Sequence, residues 1–136
     1  MKKIFSTRLH PSATHFSLLI LRVGTGAFML THGYPKLQRL LSGEFQFADP
    51  FGLGPGISLG LTVFAEFFCS ILLILGLGTR LATIPLIVTM SVAAFIAHGA
   101  DPFARKEMAL LYLLSFVVLL FSGPGKISAD QLLGKR

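Results

Sequence analysis

Four long apolar runs dominate this sequence and decide what it can fold into. They cover approximately residues 16–32, 57–78, 81–98 and 107–121. Each is near the ~20 residues with which a helix crosses a ~30 Å hydrocarbon core. Only 13% of the residues are charged, about half the share of a soluble domain, and a small domain with so few charges cannot cover its surface in water. The runs therefore predict an all-α bundle of four transmembrane helices in a lipid bilayer.

The segment before the first run is basic and covers residues 1–15. A cleaved signal peptide also begins with basic residues and turns apolar. Here Arg22 interrupts the apolar run and no cleavage site of small residues follows it, so we expect a retained helix. We expect residues 16–130 to form one membrane domain and residues 131–136 to form a basic tail.

The long connection, residues 33–56, lies between the first and second runs. Leu37, Leu40 and Leu41 stand at helical spacing beside basic residues, which predicts a short interfacial helix. The glycines and prolines of residues 52–56 break any helix and predict a loop. The second and third runs, in contrast, are joined so closely that they predict an antiparallel hairpin.

The charged residues predict an orientation. The chain carries 12 Lys and Arg against 6 Asp and Glu, and the basic residues are scattered between apolar runs instead of clustering with aromatics. This distribution favours membrane-flanking charge and argues against a nucleic-acid partner. Seven basic residues lie on the side of the termini and four on the other side, which predicts that both termini are cytoplasmic in a multi-pass protein of the inner membrane.

Five ionisable residues lie within or at the edges of the runs: Arg22, His32, Glu66, His98 and Glu107. A charge in hydrocarbon costs at least ~2.5–3.5 kcal/mol, so each is a candidate functional residue. At ~1.5 Å per residue, Glu66 lies roughly 18 Å from the cytoplasmic end of its helix, close to mid-membrane. Topology brings the two histidines and the two glutamates to the same half of the bundle.

Each of these residues also has a structural interpretation. Glu66 can hold helices together, protonated or paired with Arg22, or it can handle protons and bind a ligand. His32 and His98 can be satisfied by water or backbone, or they can belong to a site. For Arg22, snorkelling toward the near interface is favoured over a buried pair with Glu66. Glu107 is expected at the level of the headgroups.

Two chemistries suit such a group of residues. Imidazole and carboxylate bind several transition metals, but the sequence contains no HExxH or Glu-x-x-His pair, so we predict no metal site. The alternative is a quinone whose carbonyl oxygens and protons are handled by His32, Glu66 and His98, which are also the catalytic candidates. Cys69, the single cysteine, is expected to be an inert buried thiol.

Small residues predict where helices approach each other closely. Gly24 and Gly26 in the first run, with Gly60 and Ser70 in the second, are the candidates.

The order and spacing of several short motifs resemble those of the DoxX family of small four-helix membrane proteins. The resemblance covers about residues 16–130. The matching pieces are Leu21-Arg22-Val23, His32-Gly33, Lys36-Leu37, Glu66, Gly76-Leu77-Gly78-Thr79-Arg80, His98, Phe103 and Gly123-Pro124-Gly125.

The resemblance implies a function. The namesake of the family resembles a membrane subunit of a thiosulfate:quinone oxidoreductase, and other relatives are linked to thiol and oxidative-stress systems. It therefore implies a quinone-associated subunit of a sulfur or thiol redox system, with Arg22, His32, Glu66 and His98 as cofactor-binding positions and Arg80 as a further matching polar site. Soluble redox subunits and further copies of the chain are the expected protein partners. The alternative is a non-catalytic scaffold or a small-solute or proton permease, and whether the chain is an enzyme stays open.

Overall fold

The apolar runs fold into helices that extend beyond most of the predicted spans. The structure is a computed structural model that describes residues 4–134, and every regular element in that range is a helix. In chain order these are α1 Pro11–Ser42, α2 Pro55–Leu75, α3 Thr79–Ala97, α4 Phe103–Ser122 and α5 Ala129–Leu133. The predicted all-α membrane bundle is confirmed. Lys2, Lys3, Lys135 and Arg136, four of the charges used to predict the orientation, lie outside the described residues.

The first helix is much longer than its predicted span. The interfacial helix expected after residue 33 is not separate but forms the C-terminal part of α1, which ends only at Ser42. Pro35 lies inside the helix, yet the Lys, Leu, Gln and Arg residues that follow are good helix formers and sustain it. Gly43 then ends the helix in a left-handed conformation, and a loop occupies residues 43–54. Of the loop predicted at residues 52–56, Pro55 and Gly56 instead begin α2.

Three of the helices are suited to crossing a membrane. α1, α2 and α3 are each long and apolar enough to do so, judged by length and composition. α4 is 20 residues long, but Arg105, Lys106 and Glu107 lie near its start. That α4 also crosses the membrane stays a prediction.

The bundle has an apolar interior and an apolar exterior. A core of buried side chains joins the four long helices: Met29, Cys69, Leu73, Ala82, Leu86, Met90, Phe116 and Leu119. The outward faces are equally apolar, since Phe28, Leu81 and Phe121 are 66%, 74% and 78% exposed. A soluble monomer does not expose apolar side chains on all of its helices, so the outer surface fits lipid. Cys69 is a free, buried thiol, as predicted.

The α2–α3 hairpin turns at residues 76–78, where Gly76 and Gly78 have positive φ angles of 70° and 57°. The C-terminal segment docks on this turn. The Asp130 carboxylate accepts hydrogen bonds from the backbone N–H of Gly78 at 2.7 Å and of Thr79 at 3.0 Å. The Asp130 N–H in turn donates to the Gly76 carbonyl at 2.9 Å. Residues 129–133, expected to belong mostly to a simple tail, thus supply the N-terminal cap of α3.

We expect Asp130→Ala to lower the free energy of unfolding in detergent micelles by about 1 kcal/mol, the typical loss of a helix cap. Asp130→Asn should recover only part of this loss, because its single amide oxygen can accept one of the two backbone hydrogen bonds while its NH2 group faces the other N–H. An alanine variant as stable as the parent would contradict the capping role.

Candidate functional site

The centre of the site is an ion pair between α1 and α2. Glu66 is buried, with 3% of its surface exposed, and its Oε2 accepts a hydrogen bond from Lys36 Nζ. The Lys36 side chain keeps 25% of its surface exposed, whereas that of Glu66 keeps 4%. The lysine therefore connects a buried carboxylate to a more open region. The partner considered for Glu66 from the sequence was Arg22; the structure supplies Lys36 instead.

A close approach of the two helices makes this pair possible. A β-carbon on Gly33 would lie 2.5 Å from the Glu66 carbonyl oxygen and 2.8 Å from the Phe67 nitrogen. No larger residue leaves room for α1 against α2 at this level. Lys36 follows three residues later on the same face of α1, so the contact at Gly33 holds its side chain beside Glu66.

Both helices that flank the site depart from α-helical geometry where they reach it. Residues Phe64–Cys69 of α2, which include Glu66, form a π-helical stretch, and so do Ala93–Ala97 of α3. A π-bulge inserts an extra residue into the helix, turns the side chains that follow, and is frequent at functional sites. His98 follows the second stretch directly, so both π-helical stretches direct a candidate residue toward the same region.

A second polar pair lies where α3 ends. His98 Nδ1 and Asp101 Oδ2 are 2.7 Å apart, with 44% and 33% of their side-chain surfaces exposed. The hydrogen bond from His98, helped by the positive charges of Arg105 and Lys106, lowers the pKa of Asp101 although loss of solvation opposes the shift. Asp101 is therefore an ionised acceptor for His98 at neutral pH.

Two cavities meet at the Lys36–Glu66 pair. The apolar cavity, about 320 Å³, lies between the 43–54 loop, α2 and α3. A second cavity, about 190 Å³, lies between α1, α2, α3 and α4, and is called here the polar cavity because titratable side chains interrupt its otherwise apolar lining. Four residues line both cavities: Lys36, Glu66, Ala93 and His98.

The polar cavity also contains His32 and residues of α4. The His32 ring meets the Tyr112 ring edge-on, with centroids 5.8 Å apart. Arg105 completes the charged lining. This cavity therefore holds titratable side chains from α1, α2 and α4 and from the end of α3.

The loop forms one wall of the apolar cavity and is fastened by Asp49. Its Oδ1 accepts from Leu53 N and Ser58 Oγ, and its Oδ2 from Gly54 N, each at 2.9 Å. Loss of solvation would raise the pKa of Asp49, but the hydrogen bonds from Gly54, Ser58, Leu53 and Gly52 outweigh it and lower the pKa. Asp49 thus ties the loop to the first turns of α2. The sequence motif search did not single it out.

The structure brings together three of the residues predicted to converge. His32, Glu66 and His98 line one cavity, whereas Glu107 is exposed and lines neither cavity. The sequence analysis had also missed Lys36, Tyr112 and Asp101 as members of this region. One signal was available for Lys36: it stands one turn after His32, so the two share a face of any helix that continues through Pro35.

Arg22 lies apart from the site. The sequence favoured snorkelling, but Arg22 is buried, with 1% of its surface exposed. Its Nη1 donates to the carbonyls of Leu73 at 3.0 Å and Ile74 at 2.7 Å, and its Nη2 to that of Ile127 at 2.5 Å. The last carbonyls of α2 carry the negative end of the helix dipole. They accept hydrogen bonds from the guanidinium, so Arg22 does not extend to the interface. Arg22 lines neither cavity, so we do not retain it as a cofactor-binding residue.

Of the four small residues predicted to form close contacts, two do so and two do not. A β-carbon on Gly26 would lie 2.7 Å from the Ile74 side chain and 3.2 Å from the Ser70 carbonyl oxygen, so these two positions are in contact as expected. Gly24 and Gly60 have no neighbouring atom within 4 Å of such a carbon.

Comparisons with known proteins agree with this architecture. The sequence profile of the DoxX family matches residues 17–99, which contain Lys36, Glu66 and His98. A Haemophilus influenzae protein described as "Uncharacterized protein" is 35% identical, with 85% of this chain and 90% of the relative covered. The "Uncharacterized membrane protein Rv3486" of Mycobacterium tuberculosis is 30% identical over 88% of this chain and 83% of its own length.

A further relative, the "Inner membrane protein YqjF" of Escherichia coli, is 26% identical over 88% of this chain and 93% of its own length. No solved structure matches. The apolar helices, the match of the profile over most of the chain and the membrane relatives agree: this chain is a membrane protein that belongs to the DoxX family.

Proposed function

We propose that this protein is a quinone-binding membrane subunit of a sulfur or thiol redox system. The observation that carries the proposal is the apolar cavity that ends at the buried Lys36–Glu66 pair. A quinone needs a flat apolar space for its ring, polar groups for its carbonyl oxygens, and a route by which protons reach those oxygens. The apolar walls of this cavity and the polar side chains at its end support the proposal.

The cavity fits a quinone ring in size and lining. Its volume of about 320 Å³ is at the lower end of the ~300–1,000 Å³ typical of ligand pockets, which are mostly apolar with a few convergent polar groups. That is room for a headgroup, with its hydrocarbon tail left in the lipid. Apolar side chains form most of the walls: Phe47, Phe51, Leu53, Leu61, Val88 and Val92.

The residues at the end of the cavity have complementary roles. Lys36 has three donors and no acceptor, so it can donate to a ring carbonyl oxygen while it pairs with Glu66. Glu66 can hold or release a proton beside that oxygen. His98, oriented by Asp101, is a second donor on the same wall. When bound, a quinone accepts two electrons and two protons and becomes a quinol.

In this proposal the electrons come from another subunit. The chain has one cysteine, Cys69, and it is buried in the core, so it is not available to a sulfur substrate. The family resemblance supports a soluble partner that oxidises a reduced sulfur compound or thiol. In that arrangement this chain binds the quinone that accepts the electrons in the membrane.

The test is quinone binding to the purified protein in lipid nanodiscs. We expect decylubiquinone to bind the parent protein, and Val92→Phe, which fills the apolar cavity, to weaken binding at least tenfold. Ala109→Phe is the matched control, since Ala109 lines only the polar cavity. A parent protein that does not bind the quinone, or equal losses in both variants, would contradict the proposal and favour a scaffold or a permease.

A further inference from the structure

The Lys36–Glu66 pair lies between the apolar cavity and the polar cavity. Lys36, Glu66 and His98 line the apolar cavity on one side and the polar cavity on the other. Glu66 is almost without solvent contact, so we expect the protons it exchanges to pass through one of these two cavities. The apolar cavity is the one assigned to the quinone.

The polar cavity has the side chains needed to exchange protons with water. Besides the three shared residues it contains His32, Arg105 and Tyr112. His98 is half-exposed and hydrogen-bonded to Asp101, which is also partly exposed. A neutral imidazole has one N–H donor and one acceptor nitrogen, so this pair can pass protons between bulk water and the cavity.

Within residues 4–134, the end of the bundle that carries the termini provides no comparable path. There, the buried ionisable group is Arg22, which donates to three backbone carbonyls. A guanidinium does not lose its proton in proteins, so it cannot relay one. Among the described residues, the candidate proton path runs only to the end formed by the loops 43–54 and 98–102, here called the loop end.

We infer that protons of the bound quinone exchange with water at the loop end, through the polar cavity and Glu66. The inference rests on the proposed function. For each quinone reduced, two electrons come from the partner that oxidises a sulfur compound or thiol, and two protons come from water at the loop end. Glu66 takes up each proton from the polar cavity and gives it to a quinone oxygen, and so returns to the carboxylate each time.

The protonation state of Glu66 determines the direction in which the affinity for a quinone should change with pH. The groups that face it are His32 and Lys36 from α1, His98 with Asp101 from the end of α3, and Arg105 and Tyr112 from α4. Protonating Glu66 converts an acceptor into a donor and releases Lys36 to donate to the ligand. Binding of a quinone should therefore tighten as the pH at the loop end falls.

A vesicle experiment tests the side of exchange. The protein is reconstituted with the pH set separately inside and outside, and decylubiquinone binding is measured in populations whose orientation is established by protease digestion. We expect the dissociation constant to change severalfold with the pH at the loop end and not with the pH at the opposite side. Dependence on the opposite side alone, or on neither side, would overturn the inference.

Two variants identify the route. In Glu66→Gln the dissociation constant of the quinone should depend less on the pH at the loop end than in the parent, because the amide donates at every pH while His32 and His98 remain. Ala109→Phe should retain binding, as in the test of the proposed function, but respond much more slowly to a pH jump at the loop end. An unchanged response rate in Ala109→Phe would exclude the polar cavity as the route while leaving the quinone site intact.

Thiol labelling tests the water path without any ligand. Ala109→Cys should react with a membrane-impermeant thiol reagent added at the loop end. Leu111→Cys is the matched control, because it lies on the same helix and faces outward, 59% exposed, toward lipid. The native Cys69 is buried and should stay unmodified. Protection of Ala109→Cys equal to that of Leu111→Cys would show a dry cavity and overturn the inference even if quinone binding is confirmed.

Discussion

Gly33→Ala should strongly destabilise the protein. The new β-carbon would lie 2.5 Å from the Glu66 carbonyl oxygen and 2.6 Å from the carbonyl carbon. These are backbone atoms, which cannot rotate away as a side chain can, so α1 and α2 must separate. Overpacking of this kind costs about 1–3 kcal/mol, and we expect the upper end of that range in the free energy of unfolding.

The same change should also disable the site. Lys36 follows Gly33 by one turn, so moving α1 away from α2 pulls Nζ from the Glu66 carboxylate. We expect decylubiquinone binding to weaken at least tenfold even at temperatures where the variant remains folded. Stability is measured by denaturant titration in mixed micelles, and binding is measured in nanodiscs.

Gly24→Ala is the control for Gly33→Ala. Gly24 lies in the same helix, but a β-carbon there meets no atom within 4 Å. Alanine is favoured over glycine in a helix by about 0.8–1 kcal/mol, so this variant should be as stable as the parent or slightly more stable. Equal destabilisation by both substitutions would refute the close approach at Gly33.

The residues of α1 show how much of the geometry of the site can be predicted from the sequence. Arg22, Gly26, Met29 and Gly33 are the buried residues of the helix, and Lys36 continues their spacing of three and four. That spacing defines one helical face and can be recognised in the sequence. It was missed at Lys36 because the first apolar run ends at residue 32, so that the lysine was assigned to a separate interfacial helix.

Other parts of the site depend on tertiary contacts that no local pattern reveals. The π-helical stretches at Phe64–Cys69 and Ala93–Ala97 occur in segments whose residues are ordinary for an α-helix. The wall of the apolar cavity depends on the hydrogen bonds of Asp49 to residues up to nine positions away. Burial, in contrast, was predictable for Glu66, because a carboxylate in the middle of an apolar run must find a partner inside the protein.

Arg22→Met should destabilise the fold with little direct effect on the quinone site. Methionine retains apolar volume but removes the donors that bind Leu73, Ile74 and Ile127. A hydrogen bond to a charged group contributes about 1.5–3 kcal/mol, and three carbonyls lose their partner at once. Since such contributions are not additive, we expect a loss of about 3 kcal/mol or more. Arg39→Met, an exposed position on the same helix, is the control.

One further variant separates charge from geometry at this position. Arg22→Lys keeps the positive charge beside the end of α2 but lacks the planar fork that serves three carbonyls, so it should recover only a minor part of the loss. If Arg22→Lys restores full stability, charge alone is sufficient. If it does not, the stability of this end depends on the planar guanidinium and the three carbonyls that it binds.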